Sequence, residues 1–386
     1  MTQPSALTPA VSETGDPLLL TPGPLTTSRT VKAAMMHDWG SRDARFISIN
    51  HAVLAQLAEI VHGESAYVTV PVQGSGSFAV EAMLTSFVPR AGKVLLLING
   101  AYGLRAKRML DIAGRETVVY ASAEDTPPDL AQVEALLRQT PSITHVFAVH
   151  CETTSGILNP VAEIGALAAK YKKSFLLDAM SAFGAVPLNA PALQADAVTA
   201  SSNKCLEGVP GLSFVVCRRE ALAATQGNAT TLVLDLLDQW RNFESTGQYR
   251  FTPPTHVIAA LHQALDEFAA EGGVEGRGGR YRSNCRILIE GMTALGFEPL
   301  LKDGLQAPII VTFRMPKHPR FDFQHFYDGL KTRGFVIYPG KLTVAESFRI
   351  GCIGRIHETE MRGLIAAVHD VLKEMEITGV ADAVRS

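Results

Sequence analysis

Ser174-Phe175-Leu176-Leu177-Asp178 is followed, within one short structural unit, by Ala197-Val198-Thr199-Ala200-Ser201-Ser202-Asn203-Lys204. Each stretch is a short apolar run that ends in polar or charged residues. Runs of four to five apolar residues, apolar on both parities, read as strands buried on both faces of a sheet. Asp178 and Lys204 then fall at strand ends. Small residues precede the lysine, and Gly208 and Gly211 follow it. A lysine in such a pocket can lose its proton readily and form a Schiff base. A strand-end carboxylate can hold a positive charge on a ring nitrogen. Together they are the apparatus of an enzyme that uses pyridoxal 5′-phosphate. The alternative is a surface lysine and a structural aspartate.

Working outward, strand-like runs recur at 67–72, 94–98, 117–120, 145–149, 174–177, 197–200 and 213–217. Segments with helical spacing at 80–87, 105–113, 130–139 and 161–171 lie between them. This alternation predicts an α/β fold with a mainly parallel sheet and helices on both faces. Such sheets bind ligands at the carboxyl ends of their strands. After about residue 255 the texture changes. Helical patterns at 256–270, 280–295, 323–333 and 358–375 alternate with short strand-like pieces at 309–313 and 336–338. A mobile N-terminal arm over 1–17, a large domain over 18–260 and a smaller α+β domain over 261–386 are expected, with the join inside 253–275.

At 386 residues the chain can hold two domains. It is 47% hydrophobic and 19% charged, as compact domains are. A net charge of −3 and the lack of a dense basic run argue against a nucleic-acid partner. No apolar run reaches the ~20 residues that cross a bilayer, and residues 1–17 do not read as a signal peptide. The five cysteines, 151, 205, 217, 285 and 352, are odd in number and widely spaced. They fit reduced thiols in a cytoplasm, not a disulfide framework or a zinc site.

Four further segments carry chemistry. Gln73-Gly74-Ser75-Gly76-Ser77-Phe78-Ala79 follows a strand and opens a helix, where free amides and the Ser75 and Ser77 hydroxyls can hold a phosphate. The loop also fits a loose dinucleotide fingerprint, but the next strand ends at Asn99-Gly100 rather than in an acid. It can also be a plain turn. In His150-Cys151-Glu152-Thr153-Thr154-Ser155-Gly156, clustered hydroxyls can reach a phenolic oxygen or simply make a turn. Tyr102 can lay its ring on a pyridine or serve as packing. Arg349, in an apolar strand-like segment, suits a carboxylate or phosphonate bidentately, or an internal ion pair with Glu346 or another acid.

Taken together these segments resemble the class V aminotransferases of pyridoxal phosphate fold type I. The resemblance rests on Leu20-Thr21-Pro22-Gly23-Pro24-Leu25, Gly74 to Ala82, Asn99-Gly100-Ala101-Tyr102-Gly103, His150 to Gly156, Asp178, Ser201 to Gly211, Arg250-Phe251-Thr252-Pro253-Pro254-Thr255-His256 and Phe348-Arg349-Ile350-Gly351. It is nearest to members that move an amino group from 2-aminoethylphosphonate to pyruvate. It implies Lys204 as the cofactor lysine and Asp178 as the partner of the pyridinium nitrogen. It implies Ser75, Gly76 and Ser77 on the phosphate, Tyr102 on the ring and Thr154 at the phenolic oxygen. Thr252 would reach the phosphate of a second subunit, which makes a homodimer part of the site. Arg349 would bind the substrate anion. The sequence departs from the family at Arg42-Asp43-Ala44-Arg45-Phe46, a loop expected to line the substrate entrance. Rival activities on this fold are alanine/serine–glyoxylate transamination and a lyase or desulfurase reaction. The last needs a mobile cysteine, which Cys352 in an apolar segment does not suit. A binding protein keeping a relic site is a further rival.

Overall fold

The computed structural model describes residues 9–302, 304–342, 345–378 and 380. The seven expected strands form one seven-stranded sheet. Its order is Tyr67–Gln73, Leu212–Arg218, Ala197–Ser201, Ser174–Asp178, His145–Val149, Lys93–Ile98, Glu116–Ala121. Leu212–Arg218 is antiparallel to both neighbours, and the other neighbouring pairs are parallel.

Apart from the edge strand Glu116–Ala121, which has no buried residue, the runs are apolar on both parities because the sheet is covered on both faces. Leu95, Leu97, Val146, Ala148, Phe175 and Leu177 point into one core. That core is closed by the helices Ala44–Glu59, Leu130–Gln139, Val161–Lys170 and Thr255–Ala270. Val94, Leu96, Ile98, Phe147, Val149 and Leu176 point into the other, which is closed by Gly76–Phe87, Ala101–Ile112 and Leu236–Thr246. Val149 stands beside Asp178, and Asp178 beside Thr199. The carboxyl ends of three central strands therefore open onto one rim.

The smaller domain is built on an antiparallel sheet of Ile310–Arg314, Ser347–Gly351 and Tyr338–Pro339. Helices Gly273–Ala294, Phe323–Thr332 and Glu358–Glu374 cover it, and Phe297, Phe313, Phe326 and Phe348 interlock in its core.

The domain outline differs from the expectation at three places. A boundary at 260 cuts the helix Thr255–Ala270, whose Ile258, Leu261 and Leu265 sit in the large core. The chain turns at Gly272 and Gly273, inside the expected 253–275 join but past residue 260, with φ of +97° and +63°, values glycine adopts freely. Leu18–Leu19 pairs in parallel with Phe335–Val336, and Leu18 and Leu20 are buried in the smaller domain's core. Lastly, residues 1–8 of the expected mobile arm lie outside the described residues, but 9–17 are tied down. The Ala10 amide donates to the Arg333 carbonyl, Asp16 pairs with Lys32 and Glu13 with Arg355. Charges on both partners, invisible to a composition-based reading, hold this stretch in place.

Candidate active site

Asp178 ends the strand Ser174–Asp178, and only 4% of its surface is exposed. Burial pushes its carboxyl up to about 6, although the Met180 amide donates to Oδ1 at 2.9 Å. Lys204 stands in the turn that follows Ala197–Ser201. Burial lowers its amine to about 8, and the positive charge of Arg349 acts in the same direction. Its Nζ donates to the Pro22 carbonyl. The chain passes there at Gly23, whose φ is +107°; a Cβ at this position would meet Lys204 Cδ at 2.7 Å and the Asn203 carbonyl at 2.9 Å. Only glycine lets the N-terminal segment lie against the lysine.

Both groups face a cavity of about 360 Å³. Ser75, Gly76, Ser77, Tyr102, Ser201 and Asn203 also line it, with Arg105 and Met180. Ser75 is the N-cap of the helix Gly76–Phe87, yet its side chain makes no capping bond. The first amides of a helix have no partner within it, and they carry the positive end of its dipole. This helix start therefore presents an anion-binding end to the cavity. A Cβ on Gly76 would meet Met180 Sδ at 2.3 Å. Arg105 Nη1 donates to Ser77 Oγ at 3.1 Å.

The cavity fits pyridoxal 5′-phosphate on several independent grounds. It holds an amine with a depressed pKa and a buried carboxyl with a raised one. It opens on a helix start suited to a phosphate. Ser201 Oγ in its wall is buried without a hydrogen-bond partner. His150, outside the wall, donates its amide to the Asp178 carbonyl at 2.8 Å; its Nδ1 is also buried without a partner, and burial lowers its ring to about 4. Orphaned polar atoms of this kind call for a ligand.

The other expected residues divide. Tyr102 is in the cavity wall. Thr154 is buried, but it is not in the wall: its hydroxyl donates to Glu152 Oε1 at 2.6 Å and accepts from the Ala101 amide at 3.0 Å. Arg349 is 1% exposed and anchors in carbonyls, not acids. Nη1 donates to Thr153 at 2.9 Å, and Nε and Nη2 donate to Pro339 at 3.2 and 3.1 Å. Among the described residues it has no ion pair, with Glu346 or any other acid. Thr252 is exposed in a separate cavity with Ser41, Arg42 and Phe251. The expected entrance loop is the first turn of the helix Ala44–Glu59. The Asp43 carboxylate caps that helix by accepting from the Arg45 amide, Phe46 is buried, and Arg45 stacks on Trp39. All five cysteines are free and buried, Cys352 included.

Sequence reasoning passed over Glu152. It is fully buried and accepts from the Tyr102 and Thr154 amides. Burial raises its pKa, against these bonds. It also passed over a clamp behind the lysine. Arg277 donates to the Cys205 carbonyl at 2.6 Å, and Glu207 accepts from Arg280 at 2.7 Å and from the Tyr281 hydroxyl. Glu271 bridges both arginines, which hold its carboxyl at about 2 despite burial. The lysine turn is thereby fixed to the first helix of the smaller domain. The only hint in the sequence is the density of charge in Glu271 to Arg282.

Residues 26–344 match the model of the family described as aminotransferase class V. The chain belongs to the class V aminotransferases. This aminotransferase is 50% identical to a Pseudomonas fluorescens protein over 95% of its own length and 99% of the relative's. It is 51% identical to one from Cupriavidus necator, over 94% and 96%. Both relatives bear the name 2-aminoethylphosphonate–pyruvate transaminase. In fold the aminotransferase matches an alanine–glyoxylate aminotransferase from Nostoc with a TM-score of 0.87, at 23% identity and over 96% and 97% of the two chains. It also matches a pyridoxamine–pyruvate aminotransferase from Mesorhizobium loti with a TM-score of 0.85, at 24% identity and over 94% of each. The architecture is that of fold type I, and the cofactor of this aminotransferase is pyridoxal 5′-phosphate.

Proposed function

We propose that this aminotransferase moves the amino group of 2-aminoethylphosphonate to pyruvate, giving phosphonoacetaldehyde and L-alanine in phosphonate breakdown. The observation that carries the reading is 50% identity, over nearly the whole of both chains, to an enzyme of that name. The solved structures support the fold alone, so alanine–glyoxylate chemistry gains nothing from them.

When bound, the cofactor supplies an electron sink for the carbon that loses its proton. The chain's residues do the rest. Ser75, Gly76 and Ser77 hold the phosphate at the helix start, and Thr252 adds a hydroxyl from the second subunit of a cytoplasmic homodimer. Tyr102, in the cavity wall, would offer its face to the ring, and Thr154 braces the wall through Glu152. Asp178 would face the ring nitrogen, where its carboxylate would favour a positive charge. Lys204 Nζ takes the proton from the donor's amino-bearing carbon. In the second half-reaction it delivers a proton to the corresponding carbon of pyruvate. An amine near 8 is neutral often enough at neutral pH to act as base and still returns the proton. Arg349, held by carbonyls with its charge unpaired by any described acid, binds the substrate anion. Water contributes the carbonyl oxygen of phosphonoacetaldehyde, and pyruvate's keto oxygen leaves as water.

A donor panel tests the reading. Purified enzyme with pyruvate and 2-aminoethylphosphonate, taurine or serine is assayed for alanine. The phosphonate should be the preferred donor. Preference for serine, or for alanine with glyoxylate, would replace this assignment.

A further inference from the structure

The two substrates differ in charge. Pyruvate carries one carboxylate. A phosphonate has three oxygens and approaches a second negative charge near neutral pH, as a phosphate monoester does. One arginine matches the first; the second asks for another cation.

The smaller domain brings one. Arg349 lies opposite Tyr338 across the strand pair Ser347–Gly351 and Tyr338–Pro339. Its guanidinium is 5.0 Å from the Tyr338 ring centroid and holds the Pro339 carbonyl at two nitrogens. It thus fixes the backbone two residues before Lys341. The Lys341 ammonium sits 5.3 Å from the ring centroid of Tyr102, a wall residue of the Lys204 cavity. Arg105 lies 4.9 Å from the same centroid. Burial, then Arg105 and Arg349, lower the Lys341 pKa. Three cations thus crowd one rim, and among the described residues none has an ion-pair partner. The acids that act on them are buried: Glu152 is occupied by backbone amides and the Thr154 hydroxyl, and Asp178, across the cavity from Arg105, accepts from the Met180 amide.

Mutual repulsion of this kind is relieved by a multiply charged anion. Arg105 donates to Ser77 in the phosphate loop, so it belongs with the cofactor end. Resting on the proposed function, we infer that Lys341 is a specificity-determining residue: it supplies the second positive charge for the donor's phosphonate beside Arg349, and pyruvate does not use it.

The test uses holoenzyme with Lys341→Gln and Lys341→Arg. Each substrate is titrated with the other saturating, and binding of methylphosphonate and of acetate is measured by calorimetry. Loss of one charged hydrogen bond to the dianion should lower kcat/KM for 2-aminoethylphosphonate by about tenfold or more in Lys341→Gln. Methylphosphonate binding should weaken in step. Pyruvate and acetate should change less than about twofold, and Lys341→Arg should recover most of the loss because it keeps the charge. Equal losses for both substrates, or none for either, would overturn the inference. If wild type does not use 2-aminoethylphosphonate yet binds methylphosphonate through Lys341, the donor assignment falls and the phosphonate site stands. If wild type uses the donor and Lys341→Gln is silent, the inference alone falls.

Discussion

Lys204 and Asp178 close on one cavity with their ionisations displaced in opposite senses, the amine lowered to about 8 and the carboxyl raised to about 6. Burial drives both shifts. Each group is therefore prepared for a partner: the amine to act unprotonated, the carboxyl to meet a cation.

The lysine prediction follows from placement. No other amine lines the cavity among the described residues. Lys204→Ala should lose the visible absorbance of lysine-bound cofactor and lose transamination. Proton transfer by a placed base contributes ~10²–10⁴-fold. Turnover above about a thousandth of wild type would show that Lys204 is not the proton carrier.

Asp178 links function to stability. In the cofactor-free protein its folded pKa, about 6, lies above the ordinary 3.8. Between these values the folded state binds more protons than the unfolded, so stability falls as pH rises through that window. It then stays low. Two pKa units correspond to at most roughly 3 kcal/mol. Asp178→Asn should flatten this part of the stability–pH profile of the apo-protein and make it more stable at neutral pH. The same variant should keep cofactor and lose most of its kcat. An unchanged profile would mean that the carboxyl is not buried as described, and a near-normal kcat would reduce Asp178 to a structural role.

Gly23 should tolerate no side chain. Gly23→Ala adds a methyl within 2.7 Å of Lys204 Cδ on a backbone with φ of +107°. The lysine or the Thr21–Pro24 segment must shift, so kcat should drop about tenfold or more, since small misplacements of reacting groups are costly. Phosphate-end binding of the cofactor should hardly change. Wild-type kcat would show that the close approach has no bearing on catalysis.

Arg349→Lys keeps the charge but loses the planar fork. It should raise KM for both substrates, each by the equivalent of about 1–3 kcal/mol. Unchanged KM values would make Arg349 a structural tie between Thr153 and Pro339.

Much of this was legible in the sequence, for identifiable reasons. Strands covered on both faces leave runs apolar on both parities, so six strands of the sheet could be read that way; the edge strand Glu116–Ala121, with no buried residue, was legible only from its β-branched Thr117, Val118 and Val119. The polar ends of two such runs gave Asp178 and Lys204, because ligands gather at strand carboxyl ends. What could not be read depends on pairing at a distance. Leu18–Leu19 is too short to show a period, and its partner Phe335–Val336 is in the other domain. Helix Ala44–Glu59 begins at an Asp43 cap that also reads as loop chemistry, and it buries a polar Asn50. Thr154 offered a hydroxyl to the cavity in sequence, but the Glu152 carboxylate takes it. Lys341 meets Tyr102 only because the smaller domain packs against the residues that follow the carboxyl end of Lys93–Ile98.

Whether this cavity takes an amino group from a phosphonate through Lys204 is decided by a half-reaction. Holoenzyme is mixed with 2-aminoethylphosphonate without pyruvate, and absorbance is followed with phosphonoacetaldehyde release. The visible band should bleach with about one equivalent of aldehyde per site. Pyruvate should then restore the band with one equivalent of alanine, and Lys204→Ala should do neither. A band that stays unchanged with 2-aminoethylphosphonate, yet bleaches with serine or alanine, would contradict this assignment.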